Sequence, residues 1–169
     1  SRPNRNGNDY YGAFDSRAQA LAAAPAMPTT YDQPSAGNMY LDRHKRINCS
    51  DYPMVYWLSK LLTEDRHRLF DLGGHIGVSY YGFRNYITYP QSLQWHVHDV
   101  PAVVDAGRAW ASQNDPDGML NFADTPEAAS GHDVLISCGA LQYLEYTLSE
   151  LLASLPNPPD HVLVDRTPL

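Results

Sequence analysis

Asp71, Gly73, Gly74, His75 and Gly77 stand together in the stretch RLFDLGGHIGVSYYGF, residues 68–83. An apolar run ends on the aspartate, a glycine-rich turn follows, and a helical pattern begins inside it. A strand-to-helix turn of this kind presents unbonded backbone N–H groups to an anion, and its glycines let the main chain approach a ligand closely. The chemistry it suggests is the holding of a nucleotide-like cofactor. A phosphate loop of the G-x-x-x-x-G-K-[ST] type is excluded, because no Lys-Ser or Lys-Thr follows Gly77. A dinucleotide fingerprint G-x-G-x-x-G counted from Gly73 needs two more glycines where the chain has His75 and Val78. What remains is acidic-x-G-x-x-x-G, carried by Asp71, Gly73 and Gly77. His75 stands where a further glycine is expected. Its side chain either donates to a bound carboxylate, crowds the pocket, or faces solvent.

Two more acidic residues follow strand-like runs. Asp99 ends WHVHD, where a carboxylate can accept from two hydroxyls at once, or else it caps the helix beginning at Pro101. Asp124 ends LNFAD, and the following TPEA also reads as a helix cap. His96 and His98 share one strand face, a spacing open to a metal ion, but no other cluster offers the missing ligands, so no metal is expected. Cys49 and Cys138 are far apart and read as two reduced thiols. Tyr80, Tyr81, Phe83, Tyr86 and Tyr89 crowd the helix after the turn. Most of these should pack, with Tyr80 and Tyr81 close enough to the turn to line the substrate side of a pocket. Tyr40, Tyr52 and Tyr56 either close over that pocket or belong to the core.

The elements that must position these residues follow from periodicity. Residues 1–66 form a helical lead-in or lid. SRAQALAAA reads as a short helix capped by Ser16, and PAMPTTYDQPSAG reads as loop. Met54, Trp57, Leu58, Leu61 and Leu62 recur at three- and four-residue intervals as a buried stripe. Across residues 67–169 strands and helices alternate. RLFDL, LQWHVHD, GMLNFAD, HDVLISCG and HVLVDR read as strands. IGVSYYGFRNYI, PAVVDAGRAWASQ and LQYLEYTLSELLASL read as helices, and TPEAAS as a short helical turn. Such alternation means parallel strands joined by right-handed crossovers. The expected fold class is α/β: a Rossmann-like open parallel sheet of about five strands with flanking helices.

With the order strand, acidic turn, strand and Asp99 in place, the chain resembles the S-adenosylmethionine-dependent methyltransferases of class I. The resemblance implies that Asp71 and the glycines form the first cofactor motif, that Asp99 takes the ribose hydroxyls, and that Asp124 meets the adenine. It further implies that HDVLISCGALQYL, with Cys138, runs under the cofactor towards the substrate. HDVPAVVDAGR is similar to its counterpart in small-molecule O-methyltransferases. YYGAFDSRAQALAAA, DLGGHIGVSYYGF, ISCGALQYLE and VDRTPL are similar to a family of bacterial proteins assigned as methyltransferases and associated with surface-polysaccharide gene regions. The cofactor implied is S-adenosyl-L-methionine, and the acceptor a small molecule or glycan precursor.

The pattern has gaps. In the O-methyltransferases a histidine follows the fourth strand as general base, whereas this chain offers Gln142 and Tyr143, two substrate-side candidates. Glutamine does not titrate, and tyrosine ordinarily does so only near about 10. Glu145 is a substitute better read as a surface residue. No catalytic residue is assigned. The fold implied by the resemblance also has a sixth and seventh strand, absent from this sequence. The sheet edge is then open to a missing portion or to another copy of the chain.

Composition bounds the alternatives. A chain of 169 residues is most naturally one domain, and a net charge of −7 argues against non-specific nucleic-acid binding. The basic run DRHKR (residues 42–46) reads as a solvated face. No run of about 18 apolar residues and no leader pattern is present, which leads to the expectation of a cytoplasmic protein. The first reading is a methyltransferase. Its rivals are a catalytically inactive cofactor-binding module and, less favoured by the glycine spacing, an NAD-dependent oxidoreductase.

Overall fold

The computed structural model describes residues 13–24, 31–38 and 41–167. It divides into two compact units, Ser1–Thr30 and Tyr31–Leu169. The first contains α1 (Arg17–Ala23), capped as expected by Ser16, whose side chain accepts the N–H of Gln19. Tyr40 and Met39, together with much of the loop before residue 31 and the last two residues, lie outside the described residues.

In the second unit five strands form one parallel sheet: β1 (Arg68–Leu72), β2 (Gln94–His98), β3 (Leu120–Phe122), β4 (Val134–Cys138) and β5 (His161–Asp165). Their order is β3-β2-β1-β4-β5. The chain therefore steps outward from β1 to β3 and then crosses back to lay β4 on the other side of β1. Ligands in open α/β sheets bind beyond the carboxyl ends of the strands at such a reversal. The glycine turn leaves β1 at that place.

Side chains alternate across the sheet. Leu69, Trp95, Val97, Val134 and Ile136 face one layer, formed by α2 (Tyr52–Thr63), α3 (Val78–Phe83) and α4 (Pro101–Asn114). Phe70, Leu72 and Leu135 face the other, where α5 (Leu148–Ser154) brings Leu151 and Leu155. Each such side chain contributes about 1.5–3 kcal/mol on burial, so the central strands are fixed from both faces. Met54, Leu58, Leu61 and Leu62 of α2 are buried as their spacing predicts, but Trp57 of the same expected stripe is 57% exposed. The outer edge of β5 pairs with no strand among the described residues, and Val162 and Val164 on it are exposed.

Two helices are shorter than their apolar periods suggest. α3 stops at Phe83 because Asn85 turns its side-chain amide back onto the carbonyls of Tyr81 and Gly82. The helix expected over 141–155 breaks into a 3-10 turn, Leu141–Tyr143, and α5. The break is local in origin: Thr147 and Glu150 form a capping box that starts a new helix.

Candidate functional site

The glycine turn is built from underneath. Asp71 is fully buried, and its Oδ2 accepts from Trp95 Nε1 at 3.3 Å. A Cβ on Gly74 would lie 2.5 Å from the Asp71 carboxyl carbon, so this acid sits beneath the turn. Burial pushes its pKa up to about 7, against the opposing effect of the Trp95 hydrogen bond. Gly73 has φ 76° and donates its N–H to the His98 carbonyl at 2.8 Å, tying the turn to the end of β2. A Cβ there would meet Ala140 Cβ at 2.1 Å, so the loop after β4 rests on the turn. Gly77, at φ 91°, opens α3, and Leu120 occupies the space a side chain would need.

His75 departs from all three expectations. Its backbone adopts φ 56°, the left-handed conformation of the glycine it replaces, but its ring is 4% exposed and turned towards the lead-in. Nε2 lies 2.9 Å from the Ala36 carbonyl, which can only accept, so that nitrogen carries the proton. Burial lowers its pKa. Its backbone N–H is donated to Asp99 Oδ2 at 2.9 Å.

Asp99 follows β2 and is half-buried. Its Oδ1 accepts the Val100 N–H at 2.8 Å. Burial raises its pKa while the two backbone donors oppose the rise. Each oxygen retains a lone pair for a further donor. The α4 N-terminus is capped from elsewhere: Asp32, far back in the lead-in, accepts the Ala102 N–H at 2.9 Å. Asp99 is thus a rim carboxylate held by the turn and is not the cap of α4.

The other expected residues divide. Cys138 closes β4 beside this rim, with burial raising its thiol pKa to about 12. Gln142 donates Nε2 to the Gly139 carbonyl at 3.0 Å, which folds the loop after β4 back on itself, and Tyr143 is exposed on the same loop. Gly73, Asp99, Cys138, Ala140 and Gln142 make a half-exposed rim along the carboxyl ends of β1, β2 and β4. Asp124, just past β3, is not the cap of the following 3-10 turn: its side chain is 77% exposed and pairs with Arg108 at 2.6 Å. Tyr80 and Tyr81 are core residues. Tyr80 is 1% exposed, donates to Asp115 Oδ1 at 2.6 Å and packs on Trp95. Tyr52 and Tyr56 are exposed on α2. His98 bonds the Ala123 carbonyl, while His96 pairs with His132 at 3.0 Å. Among the described residues no group of three or more His, Cys, Asp or Glu is placed to hold a metal.

One cluster had no sequence signal. Asp51, 1% exposed, accepts from Arg166 Nη1 at 2.7 Å and from Arg43 Nη2 at 3.2 Å, and also takes the Asn48 N–H. Arg166, just past β5, gives Nη2 to the Cys138 carbonyl at 3.2 Å. Arg43 of the basic run is therefore tied to a buried carboxylate at the end of β4, while Lys45 and Arg46 of the same run are exposed. The partners lie too far apart in the chain, at 43, 51 and 166, for any local pattern to join them.

No protein-family model matches the chain, and no curated protein does. Solved structures do. A protein from Methanococcus maripaludis assigned as an S-adenosyl-L-methionine-dependent methyltransferase aligns with TM-score 0.50 and 8% identity, over 78% of this chain and 60% of that one. An O-methyltransferase family protein from Burkholderia thailandensis is 24% identical, with TM-score 0.40, over 60% of this chain and 31% of the other. Both neighbours are longer than the aligned part, and the chain spans less than two thirds of either. At these identities the first likeness shows the fold alone: a Rossmann-like α/β sheet of the methyltransferase type.

Proposed function

We propose that the chain binds S-adenosyl-L-methionine along the rim and serves methyl transfer to a small-molecule or glycan-precursor acceptor. The observation that carries this reading is the bond from the His75 N–H to Asp99. It fixes a carboxylate at the end of β2, beside a left-handed glycine turn and at the strand reversal, with lone pairs left for a pair of vicinal hydroxyls. The group fits these residues: Gly73, half-exposed at the end of β1, leaves main chain on the rim without a Cβ, and no lysine demands a polyphosphate.

Bound there, the cofactor would supply a sulfonium methyl group open to in-line attack, so the protein's main task is alignment. Asp99 would fix the ribose. The loop of Gly139 and Gln142, held by its internal hydrogen bond, would border the acceptor. The reading of residues 1–66 as a lid belongs to the same proposal, supported by the contacts of Asp32 and Ala36 with α4 and His75.

A second reading, a binding module without catalysis, is favoured by one observation: the 3-10 turn after β4, Leu141–Tyr143, has no residue suited to take a proton at neutral pH. Calorimetric titration with S-adenosylhomocysteine and with NAD decides among these. Binding of S-adenosylhomocysteine but not NAD is expected, NAD alone would overturn the proposal, and binding with no turnover on any acceptor would leave the module.

A further inference from the structure

We infer that Arg166 is a positioning residue: its forked guanidinium holds the end of β4 in place beside the glycine turn. Nη1 donates to Asp51 Oδ1 at 2.7 Å and Nη2 to the Cys138 carbonyl at 3.2 Å, while Nε stands 3.8 Å from Asp165 Oδ2. One planar group thus joins a carboxylate from before α2 to the last carbonyl of β4. An ammonium, being a point charge on a flexible stem, does not fix that spacing. The backbone of Arg166 is committed to the same pose. Its φ is 55°, a left-handed conformation uncommon outside glycine, and its N–H is donated to Asp165 Oδ1 at 2.8 Å. Asp51 is a firm anchor, 1% exposed and bonded also to Arg43 Nη2 at 3.2 Å and to the Asn48 N–H at 2.7 Å.

The two ends of this tie reach the two arms of the rim. On the lead-in side, a Cβ on Gly82 would lie 3.0 Å from the Arg43 carbonyl oxygen, so Arg43 rests on α3, the helix that leaves the glycine turn. On the β4 side, Gly139 donates its N–H to the Asp165 carbonyl at 2.9 Å, and a Cβ on it would stand 3.5 Å from Arg166 Cβ. The next residue, Ala140, is the one that rests on Gly73. Moving the Cys138 carbonyl therefore moves the loop against the turn. Arg166 acts through Cys138 and Ala140 rather than by touching a ligand.

That this placement governs cofactor affinity rests on the methyltransferase reading; the placement itself does not. The test compares the wild type with Arg166→Gln, Arg166→Lys and Arg68→Gln, reading the Gly73, Gly139 and Ala140 amide signals by NMR and S-adenosylhomocysteine affinity by calorimetry. Arg68→Gln breaks the ion pair with Asp133 at the amino ends of β1 and β4, and so controls for a general loss of stability. Both Arg166 variants are expected to shift all three amide signals and to bind S-adenosylhomocysteine at least tenfold more weakly, with neither change in Arg68→Gln. Arg166→Lys keeps a cation beside Asp51 should the glutamine variant fail to fold. Wild-type affinity in the lysine variant would make charge and not the fork the active feature, and it overturns the assignment. So does wild-type affinity in Arg166→Gln, an unmoved Gly73 signal in a folded Arg166 variant, or an equal affinity loss in Arg68→Gln. A wild type that does not bind S-adenosylhomocysteine sinks the methyltransferase reading instead, and the Gly73 signal then decides the positioning role alone.

Discussion

On the proposed reading Asp99 serves the ligand and the fold at once, and its substitution should show both. In Asp99→Ala the His75 and Val100 N–H groups lose their acceptor. Stability should fall by about 1–3 kcal/mol, the usual cost of an unsatisfied buried donor. Affinity for S-adenosylhomocysteine should fall at least about tenfold, from loss of charged hydrogen bonds of ~1.5–3 kcal/mol. Unchanged affinity in a folded variant would reduce Asp99 to a structural tie. His75 makes the opposite case. Its ring is buried, with Nε2 bonded to the Ala36 carbonyl and its pKa lowered by burial, so that proton is engaged inside the fold and not offered to a cofactor's carboxylate. S-adenosylhomocysteine affinity should accordingly show no His75-dependent slope between pH 6 and 8, since the wild type and His75→Gly should give parallel profiles. The glycine variant relieves a left-handed backbone that costs roughly 1–2 kcal/mol but loses a buried ring and its hydrogen bond. Net destabilisation, seen in urea unfolding, is expected; a gain in stability would mean that backbone strain dominates.

At the scale of elements, the turn and the loop after β4 are one contact. Gly73→Ala places a methyl group within 2.1 Å of Ala140 Cβ at a backbone φ of 76°. The loop must move, so the variant should unfold at lower denaturant and lose S-adenosylhomocysteine binding together. Retained affinity would show that the loop yields freely. This also marks where sequence reading succeeds and fails. The strands and their parallel arrangement were legible because RLFDL and HDVLISCG are compact apolar runs set between turn signals. The place of Asp99 just past β2 was legible because a strand end announces itself. Tyr80 and Tyr81 were misplaced because nearness along the chain to a turn does not say which face of a six-residue helix meets the sheet. The pairing of Asp124 with Arg108 on α4, a partner 16 residues away, shows in no local pattern. The Asp51 cluster and the Asp32 cap are invisible for the same reason, being tertiary contacts across 115 and 70 residues.

At the scale of the whole molecule, buried titratable groups on the two sides of the sheet oppose each other as pH changes. Asp71 has a folded pKa of about 7, raised by burial above the ordinary 3.8. Between those values the folded chain holds a proton that the unfolded chain has released, so its contribution is fully present below about 4 and is lost as pH rises to about 7. His75, His96 and His132 are lowered by burial. Their contributions run the other way: present above the ordinary 6.5, and lost as pH falls through their folded values. Wild-type stability is the sum of the two slopes and does not separate them. Asp71→Asn removes only the first while keeping the shape of the side chain and an acceptor for Trp95 Nε1. The stability difference, variant minus wild type, should therefore rise between pH 4 and 7 by about 1.4 kcal/mol per pH unit at most, and stay level above that range. Urea unfolding of both proteins at pH 4.5, 6 and 8 measures it. Parallel profiles would mean that Asp71 stays ionised beneath the turn at all three values, stabilised by donors other than the Trp95 indole.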